Sequence, residues 1–394
     1  VVADRQHEDG QAALACPVAA HPELPRCDPL ALQPLLEHLR TGRPVSSPTR
    51  FPLGTLLPDG RLDLCKQGLG VEGAEALVEA LGTYPHVSSL LLGTNGIGDR
   101  GAAAVADLVR RSPHLRTVYL GCNLIREEGT RRLAGAVRES PWVEGLWLKR
   151  NPLGPSGTSV LAEALTSTGS LRTLDLVHTG PGEAGLERLA ECLGAGRAPV
   201  EWLFLSGNGL TVREAHHLVA LVRVLPRLRG LYLAANPLGE EGAEVLAEGL
   251  RECPSLRALG LASTGMGPRG AAALLGALRG HAALEHLDLG RARSEGALGA
   301  PANALGLRGA RALAELLEAS PALRHVDLRH SGLPPEGAER VIAALGERPL
   351  RLDLDGVARL GADSRAAWKR HQERARREPP LARPALHSIR SVYR

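Results

Sequence analysis

Residues Val143 to Leu165 read VEGLWLKRNPLGPSGTSVLAEAL, and nearly the same pattern recurs about ten times along the chain. Leu146, Leu148 and Leu153 alternate as in a strand, Asn151 and Gly154 turn the chain, and Gly157, Leu161 and Leu165 carry helical spacing. Each copy reads as one strand, one turn and one helix.

The second strand leucine of successive copies falls at Leu64, Leu92, Leu120, Leu148, Leu176, Leu205, Leu233, Leu261, Leu289 and Leu328. The step is 28 residues, except for 29 between Leu176 and Leu205 and 39 between Leu289 and Leu328. A sustained LxxLxLxxN unit of this length resembles the leucine-rich repeats, in particular the ribonuclease-inhibitor-like class with a full helix per unit. The resemblance covers Leu62 to about Leu354. It implies an α/β fold: a right-handed leucine-rich-repeat solenoid, or horseshoe, of about ten to eleven repeats, with a parallel concave sheet and convex helices.

The final position of the motif is occupied in turn by Gln67, Asn95, Asn123, Asn151, Thr179, Asn208, Asn236, Thr264, Ala292 and Ser331. The backbone at this bend loses water inside a stack, so a short side chain that both donates and accepts is needed there. Thr and Ser meet part of that need. Ala292 meets none of it, so the polar ladder is expected to break there, at the unit followed by the 39-residue step. The extra residues fall in the Gly-, Ala- and Pro-rich RARSEGALGAPANALG, and an inserted loop near 291–305 is expected at the rim of the concave face.

Outside the repeats, residues 1–60 read as an N-terminal segment and cap. They hold a short helix around Pro34 to Arg40, and a hairpin follows in which Pro58, Asp59 and Gly60 turn the chain between Thr55–Leu57 and Arg61–Leu64. Residues 61–354 are the repeats. Residues 355–394 read as a basic cap helix, begun by Asp363 or Ser364 and docked through Trp368, and a Pro-rich tail ending in HSIRSVYR. From Asp355 onward ten Arg and Lys face four Asp and Glu, so the basic excess of the chain, +4 overall, sits in the tail.

Aromatic residues make up only 3% of the chain, so leucine and alanine must fill the core. The six cysteines share neither metal-type spacing nor a repeat position, which reads as free thiols in a reducing, cytoplasmic setting. No secretory signal and no membrane-length apolar run is read from the sequence. GxGxxG occurs four times, as in Gly96, Gly98 and Gly101; its repetition assigns it to tight turns and helix packing and away from a phosphate loop.

Because strand side chains alternate, the residue between the last two leucines faces the concave side. That register puts Asp63, Leu91, Tyr119, Trp147, Asp175, Phe204, Tyr232, Gly260, Asp288, Asp327 and Asp353 on the open face. Trp202, His286 and His325 join two residues earlier, Cys65, Lys149 and Arg329 two residues later, and Arg150 at the rim. Five of the ten aromatic residues lie there, and an exposed aromatic patch on a concave surface marks a partner site. His286, Asp288, His325 and Asp327 form a second, polar patch.

The expected function is a protein- or peptide-binding scaffold with no chemistry of its own, no cofactor and no bound metal. Its partner-binding residues are Tyr119, Trp147, Lys149, Arg150, Asp175, Trp202, Phe204, Tyr232, His286, Asp288, His325 and Asp327. The alternative is a metal-dependent or acid–base enzyme centred on the two His and two Asp. Basic and acidic groups alternate on the face, Lys149 and Arg150 against Asp175, so a one-sign stripe for nucleic acid is not expected on the solenoid.

Overall fold

A computed structural model of the chain describes residues 25–195, 199–291 and 299–376. The insertion residues 292–298 and the terminal HSIRSVYR lie outside the described residues. The chain opens with α1 (Pro29–Arg40), β1 (Thr49–Arg50), β2 (Thr55–Leu56) and β3 (Arg61–Asp63), in which β1, β2 and β3 pair antiparallel. Strand and helix then alternate: α2 (Gly70–Leu81), β4 (Ser89–Leu91), α3 (Gly98–Arg111), β5 (Thr117–Tyr119), α4 (Glu127–Glu139), β6 (Gly145–Trp147), α5 (Gly154–Leu165) and β7 (Thr173–Asp175). The alternation continues through α6 (Gly182–Ala195), β8 (Trp202–Phe204), α7 (Val212–Val224), β9 (Gly230–Tyr232), α8 (Gly239–Leu250), β10 (Ala258–Gly260) and α9 (Pro268–Ala277). It ends with β11 (His286–Asp288), α10 (Gly306–Ala319), β12 (His325–Asp327), α11 (Pro335–Ala344), β13 (Arg351–Asp353) and α12 (Ala362–Ala375).

All thirteen strands lie in chain order in one open sheet, parallel from β3 to β13. Each strand from β3 to β13 is only three residues long, because the leucines on both sides must turn into the core before the helix starts. The repeat leucines from Leu64 to Leu328 are fully buried, in one apolar core that runs from Leu32 to Leu352. Helices of successive repeats pack side by side on the other face of the sheet. The third glycine of GxGxxG sets that spacing: a Cβ on Gly270 would stand 2.6 Å from the Glu240 carbonyl oxygen and 3.0 Å from the Ala243 methyl.

The asparagines supply the link between coils. Asn151 donates its amide to the carbonyls of Leu148 and, one coil back, Leu120, both at 2.9 Å. Its side-chain oxygen accepts the N–H groups of Asn123 at 2.8 Å and Ile125 at 3.1 Å. Asn95, Asn123, Asn208 and Asn236 repeat the double donation. Thr179, Thr264 and Ser331 donate to the carbonyl within their own coil.

The expected break at Ala292 does not occur, because Asn303 enters the vacant place from beyond the insertion. It donates to Leu261 and Leu289 at 2.8 and 2.9 Å and accepts from Thr264 and Met266 at 3.1 Å. The ladder register therefore resumes at Asn303.

At the C-terminal end α12 lies over the last repeat, where Trp368 packs with Ala338, Ile342 and Leu360. Neither Asp363 nor Ser364 caps it. The cap residue is Gly361, whose N–H donates to Glu339 at 2.8 Å. The previous repeat also caps α4, through Asp99 Oδ1 on the N–H groups of Arg126 (2.7 Å) and Gly129 (3.1 Å).

Replacing Asn151 or Asn303 by Ala leaves buried carbonyls and amides without partners, each costing about 1–3 kcal/mol. Equilibrium urea unfolding is expected to show a loss of about 2 kcal/mol or more for both variants, and Asn303→Ala separates a continuous ladder from a broken one.

Candidate functional site: the concave face

The strand register brings the outward residues into two rows. Leu91, Tyr119, Trp147, Asp175, Phe204, Tyr232, Gly260, Asp288, Asp327 and Asp353 follow one another across the sheet. In the row beside them Trp202 pairs with Gly230, and His286 with His325 and then Arg351.

Exposure along the row differs from the sequence expectation. Tyr119 and Trp147 are 1% and 3% exposed and form a small apolar cluster with Leu91 and Cys65. The reason is the glycines around them. A Cβ on Gly93 would stand 2.3 Å from the Tyr119 ring, and one on Gly145 2.3 Å from the Trp147 ring. With no side chain at those positions the rings lie flat on the backbone. Lys149 then covers Tyr119, its Nζ 5.5 Å from the ring centre. The accessible aromatics are the half-buried Trp202, Phe204 and Tyr232. Trp202 leans over Gly230 and Tyr232 over Gly260, while Phe204 and Tyr232 stack at 4.5 Å with their planes 4° apart.

Asp175, between Trp147 and Phe204, is also buried, at 5% exposure. Burial pushes its carboxyl up to about 6, against the opposing pull of Lys149 and the Val177 N–H. Three residues further along, on the rim, His178 is buried against Gly207, and burial with the nearby Arg150 lowers its ring to about 4. Sequence reasoning missed His178 because it stands outside the alternating strand positions. It belongs to a set, with Lys66, Thr94, Cys122, Arg150, Ala235, Ser263 and His330, that adopts positive φ immediately before the ladder position.

A second feature was also missed, although it was in view as a charged residue one position before each strand from β5 to β11. Arg116, Glu144, Arg172, Glu201, Arg229, Arg257 and Glu285 edge the face. Arg172 and Arg229 both meet Glu201 at 3.1 Å, and Arg257 meets Glu285 at 3.2 Å. Partly exposed pairs of this kind are worth at most about 1 kcal/mol each, and they intersperse the two signs of charge along the edge.

Towards β13 the face is polar. The Nδ1 atoms of His286 and His325 are 3.0 Å apart, and His325 Nε2 lies 2.9 Å from Asp353 Oδ2. Arg329 holds Asp327 through both carboxylate oxygens, and Arg351 holds Asp353 at 3.1 Å. Burial works upward at Asp353, but His325 and Arg351 outweigh it and keep the carboxyl well below the usual range. Burial, with Asp327 adding to it, pushes Asp288 up to about 6. His325 and Asp327, 8% and 7% exposed, are buried where the sequence places them in the open. The sequence-predicted His and Asp residues do come together, but their partners are each other and the arginines. Among the described residues no group of three or more His, Cys, Asp or Glu is arranged to hold a metal.

A Leucine Rich repeat family model matches residues 85–106, which span β4 and the first part of α3. The chain is a leucine-rich-repeat protein. No curated protein matches its sequence. Among solved structures, the repeat protein is similar to the leiomodin-1 actin-binding site 2, at 16% identity and a TM-score of 0.34, over 42% of this chain and 91% of that one. It is also similar to a tropomodulin C-terminal domain of Caenorhabditis elegans, at 17% identity and a TM-score of 0.32, over 42% of this chain and 92% of that one. No helix among the described residues is long and apolar enough to cross a membrane.

The raised carboxyl of Asp175 makes a pH-dependent prediction. In the unfolded chain the group ionises near 3.8, in the fold near 6, so its charge costs stability above about pH 6 and costs nothing below about pH 4. Asp175→Asn keeps the acceptor for Val177 and removes the charge. Urea unfolding is expected to show a gain of about 1–3 kcal/mol at about pH 8 that disappears at about pH 4.

Proposed function

We propose that this repeat protein is a protein- or peptide-binding scaffold of the ribonuclease-inhibitor-like class that seats its partner on the concave sheet. The observation that carries the reading is the stacked, half-exposed Phe204–Tyr232 pair beside Trp202. Rigid aromatic side chains with a face open to solvent give much contact area for little lost conformational entropy, which is why they anchor interfaces. Lys149, Arg150, Asp175, His286, Asp288, His325 and Asp327 surround them as the polar rim that selects orientation. Tyr119 and Trp147 act from beneath, by holding the floor of that surface in place.

Nucleic acid is not the expected occupant, since both signs of charge are interspersed on the face and along its edge. An enzymatic role for the His and Asp patch is not favoured, because Arg329 and Arg351 already engage two of its carboxylates. A cytoplasmic setting is part of the proposal and is supported by Cys27, Cys65, Cys122, Cys192 and Cys253, all of which are free thiols.

The test places a photo-crosslinking amino acid at Phe204 or, on the opposite side, at Glu187 of α6, in cells of the native host. Discrete protein adducts are expected from position 204 and not from 187, and Trp202→Ala with Tyr232→Ala should abolish them while the melting temperature holds. Equal labelling from both positions contradicts the proposal. Trp147→Ala, by contrast, is expected to cost about 3 kcal/mol of stability, because it empties a buried site.

A further inference from the structure

His286 and His325 occupy matching positions on β11 and β12, with ring centroids 4.4 Å apart at 65°. Their Nδ1 atoms, 3.0 Å apart, have room for one proton between them: one ring donates and the other accepts through its lone pair. Were both rings imidazolium, two N–H groups would point at each other. His325 is not at liberty to turn aside, since its Nε2 is bonded to Asp353 at 2.9 Å and the residue is 8% exposed.

We infer that the His286–His325 pair is a proton-counting switch in the concave face, which holds one proton with the ring contact intact and parts when it takes a second. The consequence for a partner rests on the binding role proposed for this face. The switch itself is a property of the free chain.

Among the described residues, the charged groups around the pair are Glu285, Asp288 and Arg291 at β11, Arg324, Asp327, Arg329 and His330 at β12, and Arg351, Asp353 and Asp355 at β13. β10 presents Ala258 and Gly260, which do not titrate. Glu285 is tied to Arg257 at 3.2 Å, His330 to Asp355 at 3.0 Å, Asp327 to Arg329, and Asp353 to Arg351. Asp288 accepts the Gly290 N–H at 3.0 Å and, through burial and Asp327, gives up its charge near pH 6. Mild acid therefore removes a negative charge at Asp288 and adds positive charge on the rings. Counting Arg257, the five carboxylates Glu285, Asp288, Asp327, Asp353 and Asp355 stand against five guanidinium groups, and one carboxylate loses its charge while the rings gain positive charge. This end of the face passes from balanced to basic.

The full chain, labelled with 15N-histidine, is titrated from about pH 8 to 4.5 while NMR follows the imidazole nitrogens. His286 and His325 are expected to protonate in two steps at least about one pH unit apart, as strongly coupled sites do, and the ring-to-ring NOE should vanish at the second. In His286→Gln, His325 should titrate in one step, at higher pH than the second step of the parent. In Asp288→Asn the two imidazole steps should remain. A single shared step in the parent chain, or a ring contact that survives double protonation, overturns the inference. No partner enters the measurement, so its outcome is independent of the crosslinking test of the binding surface.

Discussion

The asparagine at the bend of each coil is the interaction on which the rest depends. One amide bridges two carbonyls of successive coils and receives two N–H groups from the coil before it, so four backbone groups are satisfied where water is excluded. Because every parallel strand is three residues long, the sheet hydrogen bonds alone give each coil little hold on the next. The ladder fixes the register, and the leucines can then fill a core one repeat deep. Where Thr or Ser stands in the slot, the side-chain link to the preceding coil is lost and the bond within the coil is kept, to which Thr264 adds a contact with Asn303 of the next coil at 3.0 Å. The capture of Asn303 across an insertion shows how strong the requirement is: an amide from beyond the extra residues still fills the slot.

Holding the coils this close has a geometric consequence for the open face. Adjacent parallel strands stand about 4.8 Å apart, so an aromatic ring on one must find room over its neighbours. Glycines at 93, 145, 230 and 260 provide that room, and the rings lie down over them. The result is two kinds of aromatic residue from one repeat position. Tyr119 and Trp147 are sealed into the sheet surface, whereas Phe204 and Tyr232 stack with each other and keep a face open. Substituting such a glycine therefore acts on the open face through the ring above it.

The polar end of the face obeys the same crowding. Row neighbours Asp288, Asp327 and Asp353 place three carboxylates on consecutive strands, and like charges at that spacing demand compensation. Arg329 and Arg351, each two residues from the acid it holds, supply it within their own strands. At Asp288 burial, with Asp327 adding to it, pushes the carboxyl up to about 6, against the opposing pull of the Gly290 N–H. The imidazole pair beside it completes a surface whose charge depends on proton concentration.

The sequence by itself determined the repeat, the alternation of strand and helix, the parallel order and the leucine core, because these follow from a side-chain period that is local and is written out about ten times. It also determined which residues share the concave face, since strand alternation and a constant register suffice for that. Only the tertiary structure decided how far those residues are exposed, because that depends on the glycines of adjacent coils, 26 residues from Tyr119 in the case of Gly93. The same holds for the identity of the ladder residue after the insertion. Ala292 occupies the sequence position, but Asn303 occupies the place in space, and only a backbone hydrogen-bond requirement spanning two coils chooses between them. The sequence already places His286 and His325 in one patch on neighbouring strands, and the tertiary structure adds their ring contact, Nδ1 to Nδ1 at 3.0 Å.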